Sequence, residues 1–136
     1  MENALVKKLK LKPGSRIAIL NAPLGYLDEL KPLPEGVDMF DRLVGAFDWI
    51  QIFVKNKAEI DYLALATIQA LKPKSLLWIS FPKGTSKIQT DLTRDKGWDI
   101  FQGTDLKWVN LISVNETWSA FCVRPYRKGE IRRSFR

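Results

Sequence analysis

The chain has 136 residues, of which 46% are hydrophobic and 27% charged, a composition typical of one folded globular domain and not of a disordered polymer. It contains no histidine and one cysteine, which excludes histidine-based catalytic triads, zinc sites built on histidine, internal disulfides and cysteine-rich metal sites. The net charge is +7, which favours anionic partners over cationic ones.

The first 40 residues predict short elements separated by turn residues. The apolar run 15–21 is bounded by Gly14 and Pro23, and such a run is typical of a strand buried on both faces. Two prolines and a glycine make 31–36 irregular. The other elements expected here are a lead-in helix or strand, one or two helical turns and a short second strand, over 5–11, 26–30 and 37–40.

A β-α-β unit is the clearest feature of the sequence. Residues 47–54 and 76–81 are continuous apolar runs rich in β-branched and aromatic residues, which indicates buried strands. Between them, 58–71 repeats apolar residues at three- and four-residue spacing, which predicts a helix that ends before Lys72-Pro73-Lys74. Because a crossover joins the two strands, they should be parallel.

The last third predicts a helix and a hairpin. Ser86 and Gln89 have the spacing of a capping box, so a helix is expected over 87–102, with a break near Gly97. Strands over 107–114 and 117–123 are joined by a short connection and should be antiparallel. The elements together predict an α/β fold, a small three-layer sandwich with a mostly parallel sheet and a C-terminal antiparallel hairpin.

Basic residues concentrate at the two ends. Residues 124–136 carry six basic side chains and one acid, and residues 1–12 carry four lysines and one acid, so the body is close to neutral. We expect one domain over 1–124 and a basic, flexible tail over 125–136. The ends could attract phosphate backbones or acidic partners, or only solubilise the chain, and the sequence leaves both open.

Membrane and secretion signals are not apparent in the sequence. No run approaches the ~20 apolar residues of a transmembrane helix, and the first 12 residues do not resemble a secretory signal. Cys122 lies in an apolar run with no histidine to activate it, which favours a reduced core residue over a nucleophile. We therefore expect a cytoplasmic protein with no membrane partner.

The candidate site lies in the loops that follow the strands, because open sheets of this type bind ligands beyond the carboxyl ends of their strands. In 83–86, a lysine, a glycine and two hydroxyls precede a predicted helix, and these are components of an anion or phosphate cradle. The spacing is not that of a full P-loop, so a plain turn capped by Ser86 remains the alternative. The residues expected at the crevice are Asn21, Gly25, Tyr26, Lys83, Gly84, Thr85 and Ser86, with no catalytic residue or metal ligand among them.

From Phe47 onward the order of elements resembles the second half of a class I S-adenosylmethionine-dependent methyltransferase. The likeness rests on the strand that follows Phe47-Asp48, the helix that ends at Leu71-Lys72-Pro73, the strand 76–81 and the terminal hairpin, together with the first strand. It implies a Rossmann-like fold with S-adenosylmethionine as the cofactor. More narrowly, 77–86 with Asp91-Leu92 and 117–120 is similar to a group of small bacterial proteins labelled only as a domain of unknown function, which implies a bacterial source.

The cofactor half departs from the methyltransferase pattern. The Gly-rich turn of that family is Asn21-Ala22-Pro23-Leu24-Gly25 here, so only Gly25 remains to let the backbone approach a ligand. The resemblance also implies an acid after the second strand that holds the ribose hydroxyls, and Asp38 and Asp41 are the nearest. Residues 22–48 are too few for the two strands and two helices that the complete fold places there.

These observations lead to one main hypothesis and two alternatives. The truncated cofactor half favours a non-catalytic binding or regulatory module with a crevice for a small anionic ligand or nucleotide. The alternatives are a minimal S-adenosylmethionine-dependent methyltransferase and a protein that associates with nucleic acid through its basic ends.

Overall fold

The computed structural model describes residues 3–131 and contains one six-stranded sheet with the order β2-β1-β3-β4-β6-β5. The strands are β1 (Arg16–Leu20), β2 (Asp38–Phe40), β3 (Phe47–Phe53), β4 (Leu71–Pro82), β5 (Leu106–Ser113) and β6 (Trp118–Pro125). The helices are α1 (Ala4–Lys8), α2 (Tyr26–Glu29) and α3 (Lys57–Gln69), and a 3₁₀ turn spans Asp99–Phe101. Strands β1 to β4 pair in parallel, whereas β6 is antiparallel to both β4 and β5, which confirms the predicted α/β fold class.

The β3-α3-β4 unit is confirmed with one shifted boundary. The Asn56 side chain caps α3 by accepting the Glu59 amide at 2.9 Å. The helix then buries Ile60, Ala64 and Thr67 against the sheet. Strand β4 begins at Leu71, earlier than predicted, because its pairing with β3 continues across an irregularity that leaves 72–74 exposed.

Side chains alternate between the two faces of the sheet, and each face carries its own core. On one face, Ile50, Ile52, Leu77 and Ile79 pack beneath α3 and the segment 92–101. On the other, strand residues that include Trp49 and Trp78 pack beneath α1 and α2. The three layers follow from this alternation, because a sheet with two apolar faces must be covered on both.

A chain of hydrogen bonds crosses the second face and is fully buried. The Tyr26 hydroxyl donates to Gln51 Oε1 at 2.7 Å, and Gln51 Nε2 donates to Ser80 Oγ at 2.9 Å. Nearby, the Leu9 carbonyl accepts the indole N–H groups of both Trp49 and Trp78, each at 2.9 Å. These bonds fix α1 and α2 against particular strands, because buried polar groups need a specific partner.

The helix predicted over 87–102 is wrong, since this segment is irregular apart from the 3₁₀ turn. The hydroxyls of Ser86, Thr90 and Thr93 each accept the amide two residues ahead. These local turns compete with helical hydrogen bonds and replace them. Of the apolar residues expected in the core of that helix, Leu92 and Phe101 are buried, whereas Ile100 is exposed.

The described part of the basic tail is attached to the sheet. The Tyr126 amide donates to the Asp105 carbonyl at 3.1 Å, and Glu130 forms an ion pair with Arg124 at 2.7 Å. Arg132, Arg133 and Arg136, which the sequence placed in the tail, lie outside the described residues. Within 3–131, no helix combines the length and the apolar character that crossing a membrane requires.

Candidate functional site

The sheet order defines a topological switch point between β1 and β3. From β1 the chain moves outward to β2 and then crosses back to β3 on the other side of β1. The connections that leave β1 and β3 therefore diverge and open a crevice beyond the carboxyl ends of these strands. The residues that follow the two strands, Asn21 and Val54-Lys55, stand at this crevice.

A pocket of about 660 Å³ occupies this edge, and we call it the carboxyl-edge pocket. Its lining comprises Asn21, Ala22, Pro23, Phe53, Lys55, Glu59, Ile88, Thr117 and Trp118. Phe53 and Trp118 are buried and meet edge to face, with ring centroids 5.1 Å apart. The pocket therefore combines an apolar, aromatic wall with a small number of polar groups, as ligand sites commonly do.

The turn after β1 begins with an asparagine in a left-handed conformation. Asn21 has φ +60°, and Gly25, which precedes α2, has φ +85°. Asparagine and glycine are the residues that adopt this region readily, so the turn is built without a full Gly-rich sequence. A Cβ placed on Gly25 would meet no atom within 4 Å, so the space beside this turn is open.

Lys55 and Glu59 bring opposite charges to the pocket. Glu59 lies in the first turn of α3, and its Oε1 accepts the Lys55 backbone amide at 2.6 Å. This bond holds the Glu59 carboxylate beside the backbone of Lys55, a pocket residue that directly precedes the Asn56 cap of α3. The pocket can therefore contact both a cationic and an anionic group of one ligand.

Asp41 and Asp38, the two acids considered after β2, lie in different places. Asp41 directly follows β2 and lines a smaller pocket of about 380 Å³ with Leu27, Met39 and Arg42. Asp38 of β2 lies opposite Arg16 of β1 in the sheet register, at the amino ends of these parallel strands. Of the two, only Asp41 stands at the edge of the sheet where the crevice opens.

The sequence-predicted site residues do not all meet at the crevice. Asn21 lines the carboxyl-edge pocket, and Gly25 stands in the adjoining turn. Tyr26 lies in the core at 1% exposure, where burial raises the pKa of its hydroxyl well above the ordinary value of 10.0. Its ring contacts the pocket residue Phe53 edge to face at 4.6 Å. Tyr26 thus supports the pocket wall from behind.

The 83–86 segment forms a turn, without the helix expected to follow it. Lys83 Nζ donates to Ser113 Oγ at 2.6 Å, at the end of β5. Ser86 closes the turn by donating from both its amide and its hydroxyl to the Lys83 carbonyl, at 2.9 and 2.7 Å. Gly84 and Thr85 are exposed. The helix dipole that would favour an anion here is missing, which leaves the plain turn as the better description of this segment.

Sequence reasoning did not identify Glu59, Thr117 or Trp118 as pocket residues. A signal for Glu59 was present, because Asn56 and Glu59 have the spacing of a capping box at the start of a helix that follows a buried strand. Thr117 and Trp118 reach the pocket because β6 inserts between β4 and β5. No local sequence signal predicts that insertion.

The fold resembles solved structures of methyltransferases. The chain superimposes on the ribosomal protein L11 methylase from Lactobacillus delbrueckii subsp. bulgaricus with a TM-score of 0.59 at 10% identity, covering 90% of this chain and 76% of that one. For the B. subtilis M1A22 tRNA methyltransferase TrmK, the TM-score is 0.52 at 11% identity, with 93% and 67% covered. For a putative SAM-dependent methyltransferase from Streptococcus mutans it is 0.59 at 10% identity, with 90% and 47% covered. No family model and no curated protein matches the chain.

These comparisons correct the main hypothesis drawn from the sequence. The three similar structures named above are all described as methyltransferases, so the expectation of a non-catalytic binding or regulatory module is wrong. The likeness establishes a Rossmann-like fold. The narrower resemblance to a bacterial domain of unknown function has no support from a family model. At this level of identity the activity itself is a separate inference.

Proposed function

We propose that the chain binds S-adenosylmethionine in the carboxyl-edge pocket and transfers its methyl group to an acceptor. The observation that carries the proposal is a pocket of about 660 Å³ at the switch point of a sheet whose similar structures are methyltransferases. Ligands of open α/β sheets bind at this point because the diverging connections leave a crevice there. A bacterial source and a cytoplasmic location accompany the proposal as expectations.

The polar groups of the pocket match the chemistry of this cofactor. S-adenosylmethionine carries a carboxylate, an ammonium group and a sulfonium centre, and the pocket offers Lys55 for negative charge and Glu59 for positive charge. The open space beside Gly25 lets the ligand approach the turn after β1. Asp41, the acid that follows β2 at this edge, lines a separate pocket, and it would hold the ribose hydroxyls of a ligand that extends from the carboxyl-edge pocket towards β2.

The cofactor supplies an electrophilic methyl group, and the protein supplies binding and orientation. Lys55 and Glu59 would hold the amino-acid part, and the aromatic wall at Phe53 and Trp118 would exclude water from one side. Because the chain has no histidine, a proton released by the acceptor would go to a carboxylate or to solvent.

Isothermal titration of the full chain with S-adenosylmethionine and S-adenosylhomocysteine tests the proposal. Glu59→Gln removes the charge, while the glutamine oxygen can still accept the Lys55 amide. We therefore expect the chain to fold and to bind S-adenosylmethionine about tenfold more weakly, about 1.4 kcal/mol. Glu35→Gln is the matched control, since Glu35 is exposed and lies at the other end of the sheet. Gly25→Val is a poorer test, because the positive φ would strain valine whether or not a ligand binds.

Two results would overturn the proposal. One is an absence of S-adenosylmethionine binding at millimolar concentration, and the other is an equal effect of Glu59→Gln and Glu35→Gln on affinity. Methyl transfer is measured separately, with radiolabelled cofactor and mixtures of RNA or protein as acceptors. Binding without transfer to any acceptor would retain the site and remove the catalytic part of the proposal.

A further inference from the structure

A second pocket lies at the opposite edge of the sheet, where the parallel strands begin, and we call it the amino-edge pocket. It encloses about 560 Å³. Its charged lining consists of Lys10, Lys12, Lys74, Arg124 and Arg127, with Asp48 as the acid. The cations come from before β1, from the start of β4 and from the end of β6 and the segment after it, so the fold brings both basic ends of the chain to one place.

The acid in this pocket already has a cationic partner. Asp48 Oδ2 accepts the Arg16 amide at 2.8 Å, and Asp48 Oδ1 accepts Lys72 Nζ at 3.0 Å. These two bonds hold the pKa of the Asp48 carboxyl below its ordinary value of 3.8 and keep it ionised. Because Lys72 balances its charge, Asp48 does not offset the basic groups that line the pocket.

One of the five cations is also held by a partner. Arg124 donates two hydrogen bonds to the Glu130 carboxylate, at 2.9 and 2.7 Å, and only 13% of its side chain is exposed. Within the described part of the chain, no carboxylate lies within 4.0 Å of the charged groups of Lys10, Lys12, Lys74 or Arg127. Among the described residues, the amino-edge pocket therefore gathers four cationic side chains that form no ion pair.

Hydrogen bonds hold two of the backbone segments that carry these cations. The Leu9 carbonyl, next to Lys10, is held by two buried indole N–H groups. Lys74 projects from the irregularity between β3 and β4, where 72–74 are exposed. The Arg127 amide donates to Glu130 and so ties its segment to Arg124. Like charges held near one another repel, and a bound polyanion would relieve that repulsion.

We infer that the amino-edge pocket is a binding site for a chain of linked phosphates, separate from the proposed methyl-donor site. Four cations from separate segments around a pocket of this volume suit a ligand with several anionic groups. A single carboxylate would meet only one or two of them. Linked phosphates occur in the backbone of a nucleic acid and in free polyphosphates, and both present the repeated charges that lysine and arginine bind.

Fluorescence anisotropy with a labelled single-stranded RNA of 12 nucleotides, titrated at several salt concentrations, tests the site. Four phosphate contacts predict a slope of log affinity against log salt of about −2.8, since each contact to a single strand adds about −0.7. Affinity should then fall about 50-fold between 50 and 200 mM salt. Tripolyphosphate serves as the competitor, and a longer RNA shows whether affinity grows with length.

Two triple variants with the same change in net charge separate the pocket from general electrostatics. The pocket variant is Lys12→Gln, Lys74→Gln, Arg127→Gln. The control variant is Lys31→Gln, Lys87→Gln, Lys96→Gln, whose lysines are exposed elsewhere on the protein. We expect the pocket variant to lose about 75% of the salt slope, so that its affinity falls only about threefold over the same salt range. The control should keep most of the slope.

Each outcome of this experiment decides the inference. If tripolyphosphate competes and RNA length has no effect, the ligand of the site is a free phosphate chain. If affinity grows with RNA length, the ligand is a nucleic-acid backbone. Both results support the site. Equal slopes for the two triple variants, or no binding of either probe at 50 mM salt, would overturn it. Thermal melts of both variants, read by circular dichroism, verify that a loss of binding does not come from unfolding.

Discussion

Tyr26→Phe removes one hydroxyl from the core and leaves the ring in place. In the native protein this hydroxyl donates to Gln51 Oε1, and Gln51 in turn donates to Ser80. The substitution leaves the Gln51 oxygen buried without its donor. The aromatic contact with Phe53, which supports the carboxyl-edge pocket, is kept because the phenyl ring retains its position.

The expected cost follows from the burial of this network. Leaving a buried acceptor unsatisfied costs about 1–3 kcal/mol. An unfolding entropy of about 2.1 cal/mol/K per residue over 136 residues converts each kcal/mol into about 3.5 °C. We therefore expect the melting temperature of Tyr26→Phe to fall by about 3–10 °C, with little change in affinity for S-adenosylmethionine.

Urea and thermal unfolding followed by circular dichroism measure the stability, and titration calorimetry measures the affinity. Tyr62→Phe is the matched control, because Tyr62 is 85% exposed on α3 and should change stability by less than about 0.5 kcal/mol. If Tyr26→Phe weakened cofactor binding without lowering stability, the hydroxyl would belong to the ligand site and the argument from burial would be refuted.

Three further predictions concern single residues. Burial raises the pKa of the Cys122 thiol to about 12, so a thiol reagent should label it only after urea unfolding, and rapid native labelling would contradict its placement. Ion pairing lowers the pKa of Glu130 well below its ordinary 4.5, so its stabilisation is complete above pH 4.5 and declines as the pH falls. The urea midpoints of the protein and of Glu130→Gln should therefore converge on acidification, and a constant difference would count against the ion pair. Gly97→Ala should destabilise the protein by more than the roughly 1–2 kcal/mol that a left-handed conformation costs alanine. Its Cβ would lie 2.4 Å from Leu92 Cδ2, and the Leu92 side chain is buried in the core, which limits its ability to move away. Gly103→Ala has a positive φ and open space, so equal urea midpoints for the two variants would refute the clash.

The candidate site was partly predictable. The sequence placed Asn21 and Gly25 at the carboxyl edge of the sheet because they follow a strong strand pattern, and the end of a buried strand is a local property. Tyr26 could not be separated from them by sequence, because it directly follows Gly25 in the turn beside the pocket, yet its own ring is buried. The 83–86 cradle depended on a helix that short-range hydroxyl turns prevented.

The amino-acid sequence by itself determined which segments become strands, that β3 and β4 are parallel, and that the last two strands form a hairpin. These are local consequences of apolar runs, helix periodicity and connection length, and each can be evaluated within about 30 residues. Only the tertiary structure decided the sheet order, in which β6 lies beside β4. This order brings Thr117 and Trp118 to the carboxyl-edge pocket. The tertiary structure also gathers Lys10, Lys74 and Arg127 at the amino-edge pocket. Such contacts join residues that are far apart in the chain. Their energies depend on how both apolar faces of the sheet are covered at once, and no local sequence pattern encodes that coverage.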